Sequence, residues 1–263
     1  MKDKRYEEFA MFTNKYCLQI RESQIRLDFK ITDILIQVSR FKNLEQLDLL
    51  ILPNIEQNID IYYYLKLIGK NCQKLRKFRV EFQSKVQLSE PFFNLFNNNF
   101  LILEKFEICS FSNFIGKIEN LKCCERLSYL SLFIPKLYVS DLENIHLYLP
   151  QLKTLKLTVD NIILTEEIIQ SIVQIKQLLF LVLAIKNNDN HENFSDDSFY
   201  NLIFNSNTIN HFVLAQNTKI TKRKLKLLIE CAKLNPYNRY EFYFNGNIVP
   251  YGNENLPKNL KMI

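Results

Sequence analysis

The sequence predicts an α/β solenoid of stacked strand–helix units. A concave parallel β-sheet of about nine strands lines its inner side, and convex helices form its outer side. Three observations predict it. A motif of apolar, two variable, apolar, one variable, apolar recurs about every 20 to 31 residues. Its copies are Leu44-Leu47-Leu49, Leu75-Phe78-Val80, Leu103-Phe106-Ile108, Leu127-Leu130-Leu132, Leu152-Leu155-Leu157, Leu178-Leu181-Leu183 and Ile209-Phe212-Leu214. Each copy alternates with period two, as a strand does, and the stretch after it changes to helical spacing. A strand, a crossover helix and a further strand in one sheet pair in parallel.

The elements follow in order. Tyr6, Phe9, Phe12 and Tyr16 fall at helical spacing, so residues 1–20 read as a capping helix over the open end of the stack. A first strand runs through Ile25-Leu27-Phe29, and Thr32 caps a helix reaching Ser39. Asn58 to Asn71 is a helix with Ile61, Tyr64, Leu65 and Ile68 on one face and Gly69 near its stop. Asn97–Asn99 and Lys186–Asn193 read as loops. Ser140 and Glu143 form a capping box, and Pro150 ends that helix by Leu149. Thr165 and Ser195 start two more helices, each with acidic residues in the first turn. The last strand contains Phe242–Phe244. The solenoid therefore spans 21–245, and 246–263 form a cap or tail. Asn245-Gly246-Asn247 signals a turn there, and the residues beyond Pro250 read as loose.

Composition narrows the function. The chain has 263 residues, 47% of them hydrophobic, enough for a continuous core. Net charge is +6 from 34 basic and 28 acidic residues, too mild an excess to imply nucleic acid. Only 4 glycines leave little material for phosphate-cradling loops, which disfavours a nucleotide-binding enzyme. No apolar run approaches the roughly 20 residues needed to span a bilayer. The N-terminus lacks a secretion signal, and its acidic residues disfavour a mitochondrial one. The 6 cysteines are scattered, which fits a reducing compartment and a cytoplasmic protein.

The strand motif resembles the leucine-rich repeat family over about residues 20 to 245. Cys72 and Cys124 each stand three residues before the first leucine of a copy, as in the cysteine-containing and ribonuclease-inhibitor-like subclass. The asparagine that usually follows the strand is matched only by Asn217, with Asp160 and Lys186 in equivalent places. The resemblance implies a horseshoe solenoid. Several members are substrate-recognition halves of F-box ubiquitin-ligase subunits, although no F-box-like segment precedes these repeats.

On the concave face the first half reads as charged: Gln24, Arg26, Asp28; Gln46, Asp48, Leu50; Lys77, Arg79, Glu81; Lys105, Glu107, Cys109. The second half turns apolar or small: Tyr129, Ser131, Phe133; Thr154, Lys156, Thr158; Phe180, Val182, Ala184; His211, Val213, Ala215; Glu241, Tyr243, Asn245. Contiguous apolar area on a solvated face marks an interaction site, and aromatic anchors beside a few charges mark a hot spot. The expected partner-binding residues are Lys77, Arg79, Glu107, Tyr129, Phe133, Lys156, Phe180, Val182, His211, Val213 and Tyr243. Lys77, Arg79 and Glu107 would steer orientation. The competing reading is that curvature or a tail covers these side chains.

Other constellations carry less. Cys123-Cys124 has no second pair at zinc spacing, and His146, His191 and His211 are remote in sequence with no nucleophile pattern. Asp189, Glu192, Asp196 and Asp197 lack calcium-loop spacing. Lys219, Lys222, Arg223, Lys224 and Lys226 read as a solvated helix start, the alternative being a phosphate or acidic-partner patch. The sequence therefore predicts a non-catalytic scaffold or adaptor, a monomer within a larger assembly. It binds protein, with no cofactor, metal, small-molecule substrate or membrane. Alternatives are a substrate receptor in ubiquitin transfer and, last, a GTPase regulator using Arg26 or Arg79.

Overall fold

The computed structural model describes residues 4–27, 31–52, 60–83, 90–111, 116–136, 139–161, 165–185, 195–206, 208–216, 221–244 and 256–262. They form two compact units, Met1–Leu127 and Ser128–Ile263.

The first unit runs α1 (Lys4–Tyr16), β1 (Glu22–Leu27), α2 (Ile31–Val38), β2 (Gln46–Ile51), α3 (Ile61–Asn71), β3 (Lys77–Phe82), a 3-10 segment Phe92–Phe96, β4 (Lys105–Ser110) and a 3-10 segment Ile118–Cys123. Its strands lie in chain order and pair in parallel. The second unit runs β5 (Tyr129–Lys136), α4 (Val139–Leu142), α5 (Ile145–Tyr148), β6 (Thr154–Asn161), α6 (Glu166–Val173), β7 (Phe180–Ile185), α7 (Asp196–Phe204), β8 (His211–Gln216), α8 (Lys222–Leu234), β9 (Arg239–Phe244) and β10 (Leu260–Met262). These strands too are parallel and in chain order. Each unit is an α/β solenoid, with parallel strands stacked in chain order and helical segments between them.

Register shows why the motif recurs. Leu47 faces Phe78 and Phe78 faces Phe106, while Leu49, Val80 and Ile108 form the next row. In the second unit Leu130, Leu155, Leu181 and Phe212 align, as do Leu132, Leu157, Leu183 and Leu214. All are buried. Equivalent residues stack because each strand's apolar positions must meet the same layer beneath the sheet.

The first residue of six of the seven motif copies closes a turn. Its N–H donates to the carbonyl three residues earlier: Leu44 to Phe41, Leu75 to Cys72, Leu103 to Phe100, Leu127 to Cys124, Leu152 to Leu149 and Leu178 to Ile175. All six acceptor residues are buried. Cys72 and Cys124 thus fill a place that Phe, Leu or Ile fills elsewhere. They act as small core hydrophobes and do not single out a subclass of repeat. Burial pushes both thiols up to about 12, which leaves them inert as nucleophiles at neutral pH.

Several local expectations change. Two repeats carry 3-10 segments where helices were expected. In Phe92–Phe96, all but Asn94 are buried, so no single helical stripe exists. The tighter spiral sets 92 over 95 and 93 over 96. Thr32 and Ser140 lie inside α2 and α4 and do not precede them. The helix expected to end by Leu149 is broken at Glu143-Asn144. Thr165 and Ser195 do cap their helices, accepting from the N–H of Ile168 at 3.5 Å and Ser198 at 3.0 Å. Asp60 and Thr221 cap α3 and α8 in the same way. In α3, Tyr62 is buried where Tyr64 was expected. Helix α1 meets α2 through Thr13, whose hydroxyl donates to Gln37 Oε1 at 3.2 Å, while Phe12 stays 51% exposed. Beyond Pro250, β10 pairs in parallel with β9, so Leu260–Met262 are not loose. Lys186–Asn193, Asn217, Asn245–Asn247, Phe29, Asp28 and Lys219 lie outside the described residues.

Candidate functional site

The apolar motif positions of the strands are buried, so the alternate positions share the sheet face turned away from the core. In the second unit, register sorts them into three rows. The first is Tyr129, Thr154, Phe180, His211 and Arg239; the second is Ser131, Lys156, Val182, Val213, Glu241 and Lys261; the third is Phe133, Thr158, Ala184, Ala215 and Tyr243. All eight second-unit residues expected at a binding site therefore lie on one face, each half-buried.

Their contacts are specific. Lys156 Nζ lies 5.3 Å from the Tyr129 ring centroid and 5.2 Å from that of Phe180. Thr154 separates those rings in the row, and its small side chain leaves the space that the ammonium occupies. Phe180 and His211 meet edge to face at 4.4 Å. Glu241 is 8% exposed yet charged. Burial works against that charge, but the Tyr243 hydroxyl, Arg239, His211 and Lys261 together hold its carboxyl below the usual range. Arg239 Nη2 lies 2.6 Å from Glu241 Oε1, and the Tyr243 hydroxyl donates to Oε2 at 2.9 Å.

His211 Nε2 lies 3.7 Å from Glu241 Oε1 and makes no hydrogen bond among the described residues. Burial lowers its pKa and outweighs the pull of Glu241, with Arg239 and Lys156 adding to the lowering. The folded state therefore favours neutral His211, whereas an unfolded histidine titrates near ~6.5. As pH falls through that value the unfolded chain takes up a proton that the native state does not, and stability declines until His211 itself protonates. Denaturant midpoints at pH 7.5 and 5.5 should show a larger loss in the native protein than in His211→Phe, which removes this contribution alone. Equal losses would refute it. The Glu241 contribution is present above the ordinary carboxylate range and is lost only at lower pH, so the two windows separate.

In the first unit, Lys77, Arg79 and Glu107 border a depression of about 330 Å³ together with Gln46, Asp48, Phe78 and Lys105. Asp48, Arg79 and Glu107 share a row. Arg79 pairs with Glu81 at 3.1 Å and approaches Glu107 to 4.0 Å, and Lys105 pairs with Glu107 at 2.7 Å. Such half-exposed pairs contribute about 0–1 kcal/mol each.

The two end strands correct the face assignment. The partner of His211, Val213 and Ala215 is Arg239, Glu241 and Tyr243, not Glu241, Tyr243 and Asn245. Likewise Glu22, Gln24 and Arg26 match Gln46, Asp48 and Leu50, where Gln24, Arg26 and Asp28 were expected. Both slips are two residues, so the face is kept and the row is shifted. Sequence reasoning thus missed Arg239, although Tyr240 and Phe242 alternate around Glu241 and mark the true frame. Lys261 was missed because β10 carries no full motif.

The basic stretch of α8 is largely answered by acids. Arg223 reaches Asp197 at 3.1 Å and Asp196 at 3.8 Å, Lys224 reaches Asp196 at 3.7 Å, and Lys226 reaches Glu230 at 4.0 Å. His146 Nδ1 lies 2.8 Å from Ser171 Oγ, but Ser171 is 2% exposed and out of a substrate's reach. No group of three or more metal-binding side chains occurs among the described residues.

No family model matches the sequence, and no curated protein matches it. Two solved structures from Listeria monocytogenes are similar. The internalin inlF has 14% identity and a TM-score of 0.49, with 86% of this chain and 69% of that one covered. The internalin C2, inlC2, has 10% identity and a TM-score of 0.42, with 87% and 84% covered. The fold itself is read from strand order and register. No helix among the described residues is long and apolar enough to cross a membrane.

Proposed function

We propose that the chain is a non-catalytic protein-binding repeat domain, an adaptor or scaffold subunit of a larger assembly. Its partner docks on the open sheet face of the second unit. The observation that carries this reading is the grouping of Tyr129, Phe133, Phe180, Val182 and Val213 on that face. A face left to water has no need of such side chains, whereas rigid aromatics beside a few charges are suited to anchoring a protein. Lys77, Arg79 and Glu107 belong to the proposal as orienting residues, although the ion pairs of Arg79 with Glu81 and Glu107 reduce the field it offers. Residues 1–20 and 246–263 would flank the repeats. A cytoplasmic location belongs to the same proposal and rests on the scattered spacing of the cysteines in the sequence.

The ubiquitin-receptor reading loses its sequence support once Cys72 and Cys124 prove interchangeable in place with other apolar residues. A GTPase regulator would need an exposed arginine; Arg79 is held by Glu81, whereas Arg26 is exposed and makes no ion pair among the described residues. The test is affinity purification from lysate with native chain and with Tyr129→Asp plus Phe180→Asp. The double variant, shown folded by circular dichroism, is expected to lose the principal partner. Retention of every partner places binding elsewhere.

A further inference from the structure

We propose that Lys156 is an anchor for a partner carboxylate, so that the face selects an acidic protein segment whose Asp or Glu is flanked by apolar side chains. This rests on the docking reading above and adds the chemistry of the partner. Lys156 occupies the second row between Ser131 and Val182. Its ammonium is steadied by the rings of Tyr129 and Phe180 at 5.3 and 5.2 Å. Ring faces hold a cation in place without cancelling its charge. No ion pair to Lys156 exists among the described residues.

The other charges on the three rows cannot supply one. Glu241 is their one acid, and it already serves Arg239 at 2.6 Å, the Tyr243 hydroxyl at 2.9 Å and His211 at 3.7 Å. It stands three strands away from Lys156 in the same row, with Val182 and Val213 between. Asp160, four residues along β6 on the same face, makes no ion pair with Lys156, and against these two acids stand Lys156, Arg239 and Lys261, so the face still carries an excess of positive charge. A partner that covers Tyr129 and Phe180 also strips water from this ammonium. Burying an unpaired ammonium is costly, so a partner without an acid at that point is rejected. The apolar neighbours set where the acid must sit, and the charge sets that it must be an acid.

The experiment is a selection of random twelve-residue peptides displayed on phage against the immobilised full chain. Recovered peptides are counted only if Tyr129→Asp plus Phe180→Asp abolishes their capture. Synthetic peptides are then titrated by fluorescence polarisation against native chain, Lys156→Met, Lys156→Arg and Lys156→Glu. Recovered sequences should share an Asp or Glu among apolar residues. Lys156→Met should weaken them at least about tenfold, the order expected for a charged hydrogen bond, and Lys156→Arg should retain them. Lys156→Glu should prefer the same peptide with its acid changed to lysine. Peptides that need Tyr129 and Phe180 but bind Lys156→Met as well as native chain would overturn the carboxylate anchor and leave docking intact. Failure to recover any peptide dependent on Tyr129 and Phe180 removes both. A folding defect in Lys156→Met would show as loss of binding in Lys156→Arg as well, and the charge-swapped peptide then decides alone.

Discussion

Phe106→Ala is expected to destabilise the first unit by about 3–5 kcal/mol, the largest effect of any single substitution considered. Phe106 is fully buried at the centre of an aromatic cluster. Its ring lies 4.8 Å from Phe96, 5.9 Å from Phe78, 6.1 Å from Phe92 and 6.3 Å from Phe93. Those neighbours come from β3 and from the 3-10 segment Phe92–Phe96. Truncation therefore opens a cavity that several rigid rings line, and rings fixed by one another relax poorly into it. Urea unfolding followed by far-ultraviolet circular dichroism measures the loss. A change under about 1 kcal/mol would mean that the cluster repacks, contrary to close packing at that site.

Gly69→Ala is expected to destabilise by about 1–3 kcal/mol, against the sign that helix propensity alone gives. Gly69 lies in α3, and a Cβ built there would meet Phe100 Cε2 at 2.5 Å and Cζ at 2.7 Å. That ring cannot swing away. Phe100 is 4% exposed, stacks on Phe78 at 5.3 Å and sits in the left-handed region at φ 57. A bulky residue rarely adopts that conformation unless its surroundings hold it, and the missing side chain at 69 is part of what does. A double-mutant cycle checks the cause. In a Phe100→Ala background the ring contacts disappear and Asn99 Cβ, 3.0 Å from the added Cβ, still stays close, so Gly69→Ala should cost clearly less there than in the native chain. Equal costs in both backgrounds would place the penalty elsewhere.

The same glycine shows where sequence reading runs out. Period and register were legible because burial imposes them at every copy: Leu47, Phe78 and Phe106 had to be apolar and had to align. Caps with a local hydrogen bond, such as Thr165 and Ser195, were legible for the same reason. Gly69 read as a helix stop, because the partner that demands it stands 31 residues away in the fold's next layer. Ser140 and Glu143 satisfied the capping-box pattern, yet a helix break at Glu143-Asn144 makes the pattern irrelevant. At the candidate site the face was legible from alternation. The Lys156 clamp and the Glu241 hub were not, since both depend on side chains from neighbouring strands. End strands slipped by two residues because alternation fixes which way a side chain points but not which rung it occupies.

Strands that meet rung for rung have a consequence for how such a surface can change. The stretches linking them already take different forms, from a short 3-10 coil at Phe92–Phe96 to the long α8, without disturbing the alignment of the strands on either side. Length can vary there freely, while one residue inserted inside a strand would turn its outward side chains inward. New recognition surfaces can therefore arise by duplicating or excising complete modules, which leaves the remaining rungs facing their old neighbours.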